Sequence, residues 1–222
     1  MPLEIAFAPL SRLKPTAKTA KGALVVITPE GKQMPEWLSK LDKEAAGHIK
    51  KSIGASRFES KKKQILSVLA PQNMSYGLLV LIGGGKGKEL IGPDWEQIGG
   101  AMIGELNRYG IKQADVMLQH EKGGKFSAAE IAMRLGLGAE MRSYRFDKYR
   151  TTMKEHEKPT LQSITIYSED TAKAQALFDA EKPVLEAVTF TRDLISEPAN
   201  IIYPESFAER LQSLKKFGVE VE

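Results

Sequence analysis

The sequence contains no cysteine and only three histidines. The missing cysteines exclude disulfides, zinc–thiolate sites and thiol nucleophiles. The histidines, His48, His120 and His156, are too far apart to form a zinc-binding pair on one helix, and no His-Glu-x-x-His motif occurs. We therefore predict that each histidine is structural or exposed and that none binds a metal.

The serines and the paired carboxylates are also not predicted to form a catalytic or metal-binding site. Ser127 and Ser196 have no histidine nearby in the sequence, so neither is predicted to be an activated nucleophile. Glu169 and Asp170 precede the last long helical pattern. Carboxylates favour the first turn of a helix, so this pair is predicted to be a helix cap rather than a ligand pair.

Long hydrophobic runs are also missing. The most apolar stretch, residues 78–82, is far shorter than a membrane span. Residues 1–4 lack the basic-then-apolar layout of a signal peptide. We therefore expect a cytoplasmic protein with no membrane partner.

The net charge of +4 is unevenly distributed. Residues 12–63 contain 13 lysines and arginines against five acidic residues. Such a basic segment attracts nucleic acid or another anionic surface. The run Lys61, Lys62 and Lys63, however, has no interleaved aromatic side chains for base stacking, which favours a solvated face. Nucleic-acid binding is expected to be weak and non-specific.

Strand and helix patterns alternate along the chain. Apolar or alternating runs predict strands at residues 4–8, 23–27, 63–69, 76–82, 114–118 and 161–167. Apolar residues at helical spacing predict helices at residues 35–46, 93–109, 127–142 and 171–196. The run at 76–82 is predicted to be central in the sheet. This order predicts an α/β fold with a mixed, largely parallel sheet flanked by helices.

Two of the predicted helices have distinctive sequences. The helix at 93–109 contains Gly99, Gly100 and Gly104, which predict close packing against the sheet at the expense of helix propensity. In the helix at 127–142, Ser127 and Glu130 have the spacing of a capping box.

Residues 187–204 end one helix and start another. Pro198 lacks a backbone N–H and disfavours helical geometry at Glu197, so the first helix should end there. Pro204 suits the first turn of a second helix. The first helix is predicted to bury one face, formed by Val184, Val188, Thr191, Leu194 and Ile195. A long helix, a proline-bracketed elbow and a second helix are typical of a junction between domains.

Two motifs resemble the leucyl (cytosol) aminopeptidases. The first is Arg-Asp-Leu at residues 192–194, with Glu-Pro-Ala-Asn at 197–200 and Pro-Glu at 204–205; it is similar to the signature that opens the family's catalytic half. The second is Gly-Leu-Gly-Ala-Glu at residues 136–140 with Tyr-Arg-Phe-Asp-Lys-Tyr at 144–149, which is similar to the end of the family's N-terminal domain. Their order and separation agree with that family.

This resemblance implies a macro-domain-like domain at residues 1–170, a linker helix at 171–198 and the truncated start of a metallopeptidase domain at 199–222. The parent enzymes hydrolyse N-terminal residues with two divalent metals, Mn²⁺ or Zn²⁺, held by a lysine and carboxylates of the catalytic domain. The family's metal-binding sequence Asn-Thr-Asp-Ala-Glu-Gly-Arg-Leu does not occur here. No residue is therefore assigned to catalysis, metal or cofactor binding, and the chain alone is expected to be inactive.

The resemblance also implies partners. The family forms hexamers, so we expect association with the rest of an aminopeptidase or with further copies of this chain. Residues past Pro198 form an apolar stripe that a catalytic domain would cover. Its members are Ile201, Ile202, Phe207, Leu211, Leu214 and Phe217.

The glycine-rich turn at residues 83–87 suggests an alternative function. Successive glycine N–H groups followed by Lys86 and Lys88 are typical of a phosphate-binding nest. Neither the P-loop nor the dinucleotide-binding spacing is matched, which favours a tight structural turn. A stand-alone module that binds nucleic acid or a phosphate-bearing ligand is the second hypothesis, and the elbow at 192–204 argues against it.

Overall fold

The computed structural model describes residues 3–17, 21–31, 33–120 and 123–221. Six strands form one sheet: β1 (Glu4–Pro9), β2 (Ala23–Thr28), β3 (Ile65–Leu69), β4 (Leu78–Gly83), β5 (Gln113–Met117) and β6 (Ser163–Ser168). The helices are α1 (Glu36–Glu44), α2 (His48–Gly54), α3 (Gly92–Arg108), α4 (Ala128–Ser143), α5 (Thr171–Ser196) and α6 (Pro204–Gln212). Short 3₁₀ turns lie at Leu10–Arg12, Glu155–Glu157 and Ser213–Phe217. The predicted mixed α/β class is confirmed.

The strand order is β1-β6-β5-β2-β4-β3, and β3 alone runs antiparallel to its neighbour, β4. The prediction that β4 is central is therefore wrong, because β4 lies second from one edge. Its apolar sequence has another cause. Leu78, Val80 and Ile82 face the core on the side of α3, whereas Leu79 and Leu81 face α1 and α2. A strand covered on both faces must be apolar throughout, wherever it stands in the sheet.

The helices cover the sheet unequally. Helices α3 and α4 cover one face together, and α1 and α2 pack on the other. Helix α2 was not predicted, because a seven-residue helix after a turn offers too few apolar positions to show a period. It begins after Gly47, which has a left-handed φ of +76° and reverses the chain after α1.

The glycines of α3 pack against α4 rather than against the sheet, which corrects the prediction. A Cβ on Gly99 would lie 2.1 Å from the carbonyl oxygen of Leu135. In the opposite direction, a Cβ on Gly138 would lie 1.8 Å from the carbonyl oxygen of Glu96. Gly104 has no neighbour within 4 Å of its Cβ position. Gly99 of α3 and Gly138 of α4 thus allow the backbones of the two helices to come into contact.

Helix α5 starts and ends as predicted, but its buried face lies elsewhere. Ala174 and Phe178 are buried, and Phe178 packs on Phe7 of β1 with ring centroids 5.5 Å apart. In the predicted face, Val184 is 56% exposed and Ile195 is 79% exposed. Periodicity identifies a face of a helix, whereas the neighbours that cover it are set by tertiary packing. The first turns of α5 belong to the core of this domain.

Helix α5 also lacks the predicted carboxylate cap. Asp170 occupies the N-cap position with a φ of +48°, and its side chain makes no capping hydrogen bond. By contrast, the capping box of α4 is confirmed. Ser127 Oγ accepts from the Glu130 N–H at 3.3 Å, and the Glu130 carboxylate accepts from the Ser127 N–H at 2.8 Å.

Candidate functional site

The three histidines have local structural environments. His48 Nδ1 accepts a hydrogen bond from the Gln72 N–H at 3.1 Å. His120 Nε2 lies 3.0 Å from the carbonyl oxygen of Phe126, and His156 is exposed in a 3₁₀ turn. Within the ranges that the structure describes, no three His, Asp or Glu residues stand close enough to hold a metal ion. No described helix is long and apolar enough to cross a membrane.

The lysine run at 61–63 is joined to neighbouring side chains. Lys62 Nζ lies 2.7 Å from Asp94 Oδ1, at the start of α3. Lys63 Nζ donates to Gln97 Oε1 at 2.9 Å. The hydrogen bonds that Asp94 accepts, first from the Ile91 N–H and then from Lys62, lower the pKa of its carboxyl group. These lysines attach the loop before β3 to α3.

The first part of the glycine turn, residues 83–85, is tight because neighbouring residues pack closely against it. A Cβ on Gly83 would lie 2.0 Å from the Lys61 carbonyl oxygen, and Gly85 has a φ of +63°. The N–H groups of Gly83, Gly84 and Gly85 donate to Gln64, Thr28 and Ser60 at 2.8, 2.8 and 3.1 Å. For residues 83–85 the contacts agree with the structural interpretation. A phosphate nest built from these three amides is excluded, since all three are already bonded.

A crevice of about 300 Å³ nevertheless opens beside this turn. It lies where β2, β4 and β5 end, and we call it the strand-end crevice. Its apolar lining includes Ile27, Trp95, Leu118, Phe126 and Ile131. Its charged lining consists of Glu30, Lys86, Lys88, Glu89 and Lys125. The sequence indicated the glycine turn, but only the fold brings the ends of β2 and β5 next to it.

The second feature is the elbow cluster, which consists of Tyr144, Lys148, Tyr149, Arg192, Asp193, Glu197 and Arg210. It unites the two motifs that are separated by about 50 residues in sequence. Tyr144 Oη donates to Asp193 Oδ1 at 2.7 Å. Arg192 donates to the carbonyl oxygen of Met141 at 2.8 Å, and its guanidinium lies 4.0 Å from the centroid of the Tyr144 ring. The C-terminal end of α5 is thereby attached to the end of α4.

Glu197 is the centre of this cluster. Its side chain is only 3% exposed. One carboxylate oxygen accepts from Lys148 at 2.8 Å and from Arg210 at 3.2 Å, and the other accepts from the Tyr149 hydroxyl. Three separate segments therefore meet at one carboxylate: the loop after α4, the elbow and α6.

These contacts stabilise the ionised form of Glu197 although its side chain is buried. The hydrogen bond from Lys148, followed by those from Tyr149 and Arg210, lowers its pKa from 4.5 to about 2. The carboxylate is thus ionised at neutral pH and keeps its three partners in place. The same ion pair raises the pKa of Lys148. The sequence placed Glu197 in the resembling motif, but its partners lie in the other motif and in α6 and could not be derived from spacing.

A half-buried carboxylate on β5 was also missed. Asp115 accepts a hydrogen bond from the hydroxyl of Tyr76, and Tyr167 on β6 lies beside them. Burial raises the pKa of Asp115 and also the pKa of Tyr76, where the bond to Asp115 adds to the shift. In the sequence Asp115 is one polar residue in a short strand. The one feature of the sequence that could have indicated this residue is that Asp115 interrupts an otherwise apolar run.

Sequence comparisons identify the relatives of this chain. Residues 24–153 match the model of the cytosol aminopeptidase family, N-terminal domain. A probable cytosol aminopeptidase of Caulobacter vibrioides is 33% identical over 220 residues, which cover 99% of this chain and 42% of the relative. One from Bradyrhizobium sp. has the same identity and coverage. The chain therefore spans about two fifths of the length of these curated relatives.

Solved structures share the fold. A tomato leucine aminopeptidase variant aligns with a TM-score of 0.78 and 20% identity, covering 97% of this chain and 42% of the tomato chain. The bottromycin maturation enzyme BotP, in a complex with Mn, aligns with a TM-score of 0.64 and 17% identity over 89% of this chain and 37% of its own. At these identities the likeness concerns the fold alone.

Proposed function

This chain belongs to the cytosol aminopeptidase family and corresponds to its N-terminal domain, and from this premise we propose that it is the non-catalytic part of a leucyl aminopeptidase. The parent enzyme would release N-terminal amino acids from peptides by two-metal hydrolysis. The role of this chain would be to hold and orient the catalytic part and to support assembly. The proposed compartment is the cytoplasm, after the names of the relatives.

The elbow cluster is the observation that carries this proposal. The elbow leaves α5 at Glu197, and its direction is fixed by bonds to Lys148 and Tyr149 on the loop after α4. Arg210 attaches α6 to the same carboxylate. A buried ionised group with several partners is sensitive to geometry, because each lost partner leaves charge unsatisfied. The cluster would therefore determine the angle at which a following domain is presented.

The proposed metals would be Mn²⁺ or Zn²⁺, and the described residues of this chain do not fit them. A two-metal centre needs several carboxylates converging on one point, and the ranges that the structure describes hold no such group. The ligands would lie in the part of the relatives that this chain does not match. We assign no step of the hydrolysis to residues of this chain.

The exposed apolar side chains near α6 support the proposed role in assembly. Phe207 is 42% exposed, Phe217 is 69% exposed and Tyr203 is 52% exposed. Several exposed large apolar side chains in one short segment are typical of an interaction surface. Its occupant would be the catalytic part of the enzyme or another subunit of the hexamer expected from the family.

A chimera tests the proposal. This chain would replace the matching 220 residues of the Caulobacter vibrioides relative, and release of p-nitroaniline from leucine p-nitroanilide would be measured with Mn²⁺. We expect an active chimera, a less active Glu197→Gln chimera, and no release by this chain alone. Glu155→Gln is the matched control, because Glu155 also pairs with a lysine, Lys158, but is exposed.

Two results would contradict the proposal. Hydrolysis by this chain alone would place catalytic groups within it. Equal activity of the Glu197→Gln and Glu155→Gln chimeras would show that the elbow cluster does not orient the catalytic part.

A further inference from the structure

The strand-end crevice lies at the switch point of the sheet. Strands β2 and β5 are parallel neighbours. After β2 the chain enters α1 on one face, whereas after β5 it enters α4 on the other face. The two connections therefore diverge and leave a gap beyond the carboxyl ends of the strands. Ligands of open α/β sheets bind in such gaps.

The interior of the crevice suits a flat apolar group. Trp95 and Phe126 supply aromatic surface, and Ile27, Leu118 and Ile131 supply aliphatic surface. Pockets of a few hundred Å³ with mainly apolar walls are typical small-molecule sites. An aromatic ring inserted here would replace water on several apolar walls at once.

The rim of the crevice suits an anion. Lys86, Lys88 and Lys125 are exposed at its edge. Lys86 lies 3.5 Å from Glu89, while Lys88 and Lys125 form no ion pair within the described part of the chain. The rim thus offers the charges of Lys88 and Lys125 to a ligand against the single remaining carboxylate of Glu30, and both ammonium groups can donate to phosphate oxygens.

The backbone adds donors at the same place. Among the described residues, the N–H groups of Lys86, Gly87 and Lys88 have no acceptor, and the Cβ position of Gly87 has no neighbour within 4 Å. A ligand can therefore approach this backbone closely. The helix N-termini nearby are less suitable, because each already holds a carboxylate. Asp94 of α3 accepts from the N–H of Ile91, and Glu130 of α4 accepts from the N–H of Ser127.

We propose that the strand-end crevice binds a small phosphate-bearing molecule with a planar ring, of the nucleotide class. The ring lies against Trp95 and Phe126. The phosphate is bound by Lys88, Lys125 and the backbone N–H groups at residues 86–88. This binding is separate from the proposed aminopeptidase role, and failure of one does not affect the other.

Calorimetric titration of the 222-residue chain with nucleoside monophosphates tests the proposed site. The parent nucleosides and inorganic phosphate are titrated separately, because each contains only one half of the proposed ligand. A second readout is fluorescence of a Trp37→Phe variant, which leaves Trp95 as the only tryptophan. Trp37 packs on the opposite face of the sheet. We expect nucleotide binding to change the fluorescence emission of Trp95. In the double variant Lys88→Gln/Lys125→Gln, the affinity for the nucleotide should be about tenfold weaker or more.

The matched control is Lys50→Gln/Lys51→Gln, which removes two exposed lysines from α2 and leaves the crevice intact. Its affinity should equal that of the unchanged chain. Weaker binding by both nucleoside and phosphate than by the nucleotide would support the two-part site. Absence of binding up to about 1 mM, the weak end of useful affinity, would overturn the proposal. Equal affinities of the two double variants would overturn it as well.

Discussion

Replacing Gly138 by alanine is expected to destabilise the domain, although alanine favours helices. Gly138 lies within α4, where the added Cβ would stand 1.8 Å from the Glu96 carbonyl oxygen and 2.5 Å from its carbon. The obstacle is backbone, which cannot rotate away as a side chain would. The two helices would therefore have to separate by roughly 1 Å, which weakens the packing along their whole contact.

The magnitude follows from two opposing effects. Alanine in place of glycine favours a helix by about 1 kcal/mol. Overpacking costs about 1–3 kcal/mol, and a backbone clash belongs at or above the upper end. The expected net loss is about 2 kcal/mol of unfolding free energy, which lowers the Tm of a domain of this size by about 4–8 °C.

Gly104→Ala in α3 is the matched control. Its Cβ position is open, with no neighbour within 4 Å. Only the gain in helix propensity remains, so the free energy of unfolding should rise by about 0.5–1 kcal/mol. Urea unfolding followed by circular dichroism and by tryptophan fluorescence measures both variants. If Gly138→Ala proved as stable as Gly104→Ala, the backbone contact between α3 and α4 would be refuted.

Three further predictions concern the elbow and the basic segment. The pKa of Glu197 lies below its unfolded value, so its ionised form contributes stability above about pH 4.5 that is lost as the pH falls towards about 2. Across this range the Tm of the unchanged chain should therefore fall more steeply than the Tm of Glu197→Gln. Parallel curves of Tm against pH would contradict this. Deleting residues 199–222 should leave unfolding of residues 1–170 nearly unchanged and convert any oligomer to monomer in light scattering, whereas loss of folding would assign that segment to the domain core. Any binding of DNA or RNA should weaken steeply between low and physiological salt, and a sequence-specific complex that survives physiological salt would favour the stand-alone module.

The division into residues 1–170, 171–198 and 199–222 stays a prediction, and the contacts of α5 are relevant to it. Phe178, in the second turn of α5, packs on Phe7 of β1 and against Gly136 of α4. Further along α5, Leu185 packs against the cluster that contains Met133 and Leu137 of α4, and Arg192 and Asp193 form hydrogen bonds at the end of α4. The helix thus has a part that completes the core and a part that carries the elbow.

The sequence alone determined most of the local structure of this protein, with α2 and the cap of α5 as exceptions. Alternating and continuous apolar runs predicted six strands, because a strand must be apolar on each face that is covered. Pro198 and Pro204 determined where α5 ends and α6 begins, since proline removes a donor and fixes φ. Ser127 and Glu130 predicted the start of α4, because a capping box needs only residues three apart.

Tertiary structure alone decided what those elements meet. The apolar sequence of β4 could not reveal its place in the sheet, because any doubly covered strand looks the same. Gly99 was predicted to pack closely against a neighbour, but only the fold showed that this neighbour is α4. The low pKa of Glu197 is due to hydrogen bonds from Lys148, Tyr149 and Arg210. Such partners are distant in sequence, and the period of a helix or strand contains no information about contacts between elements.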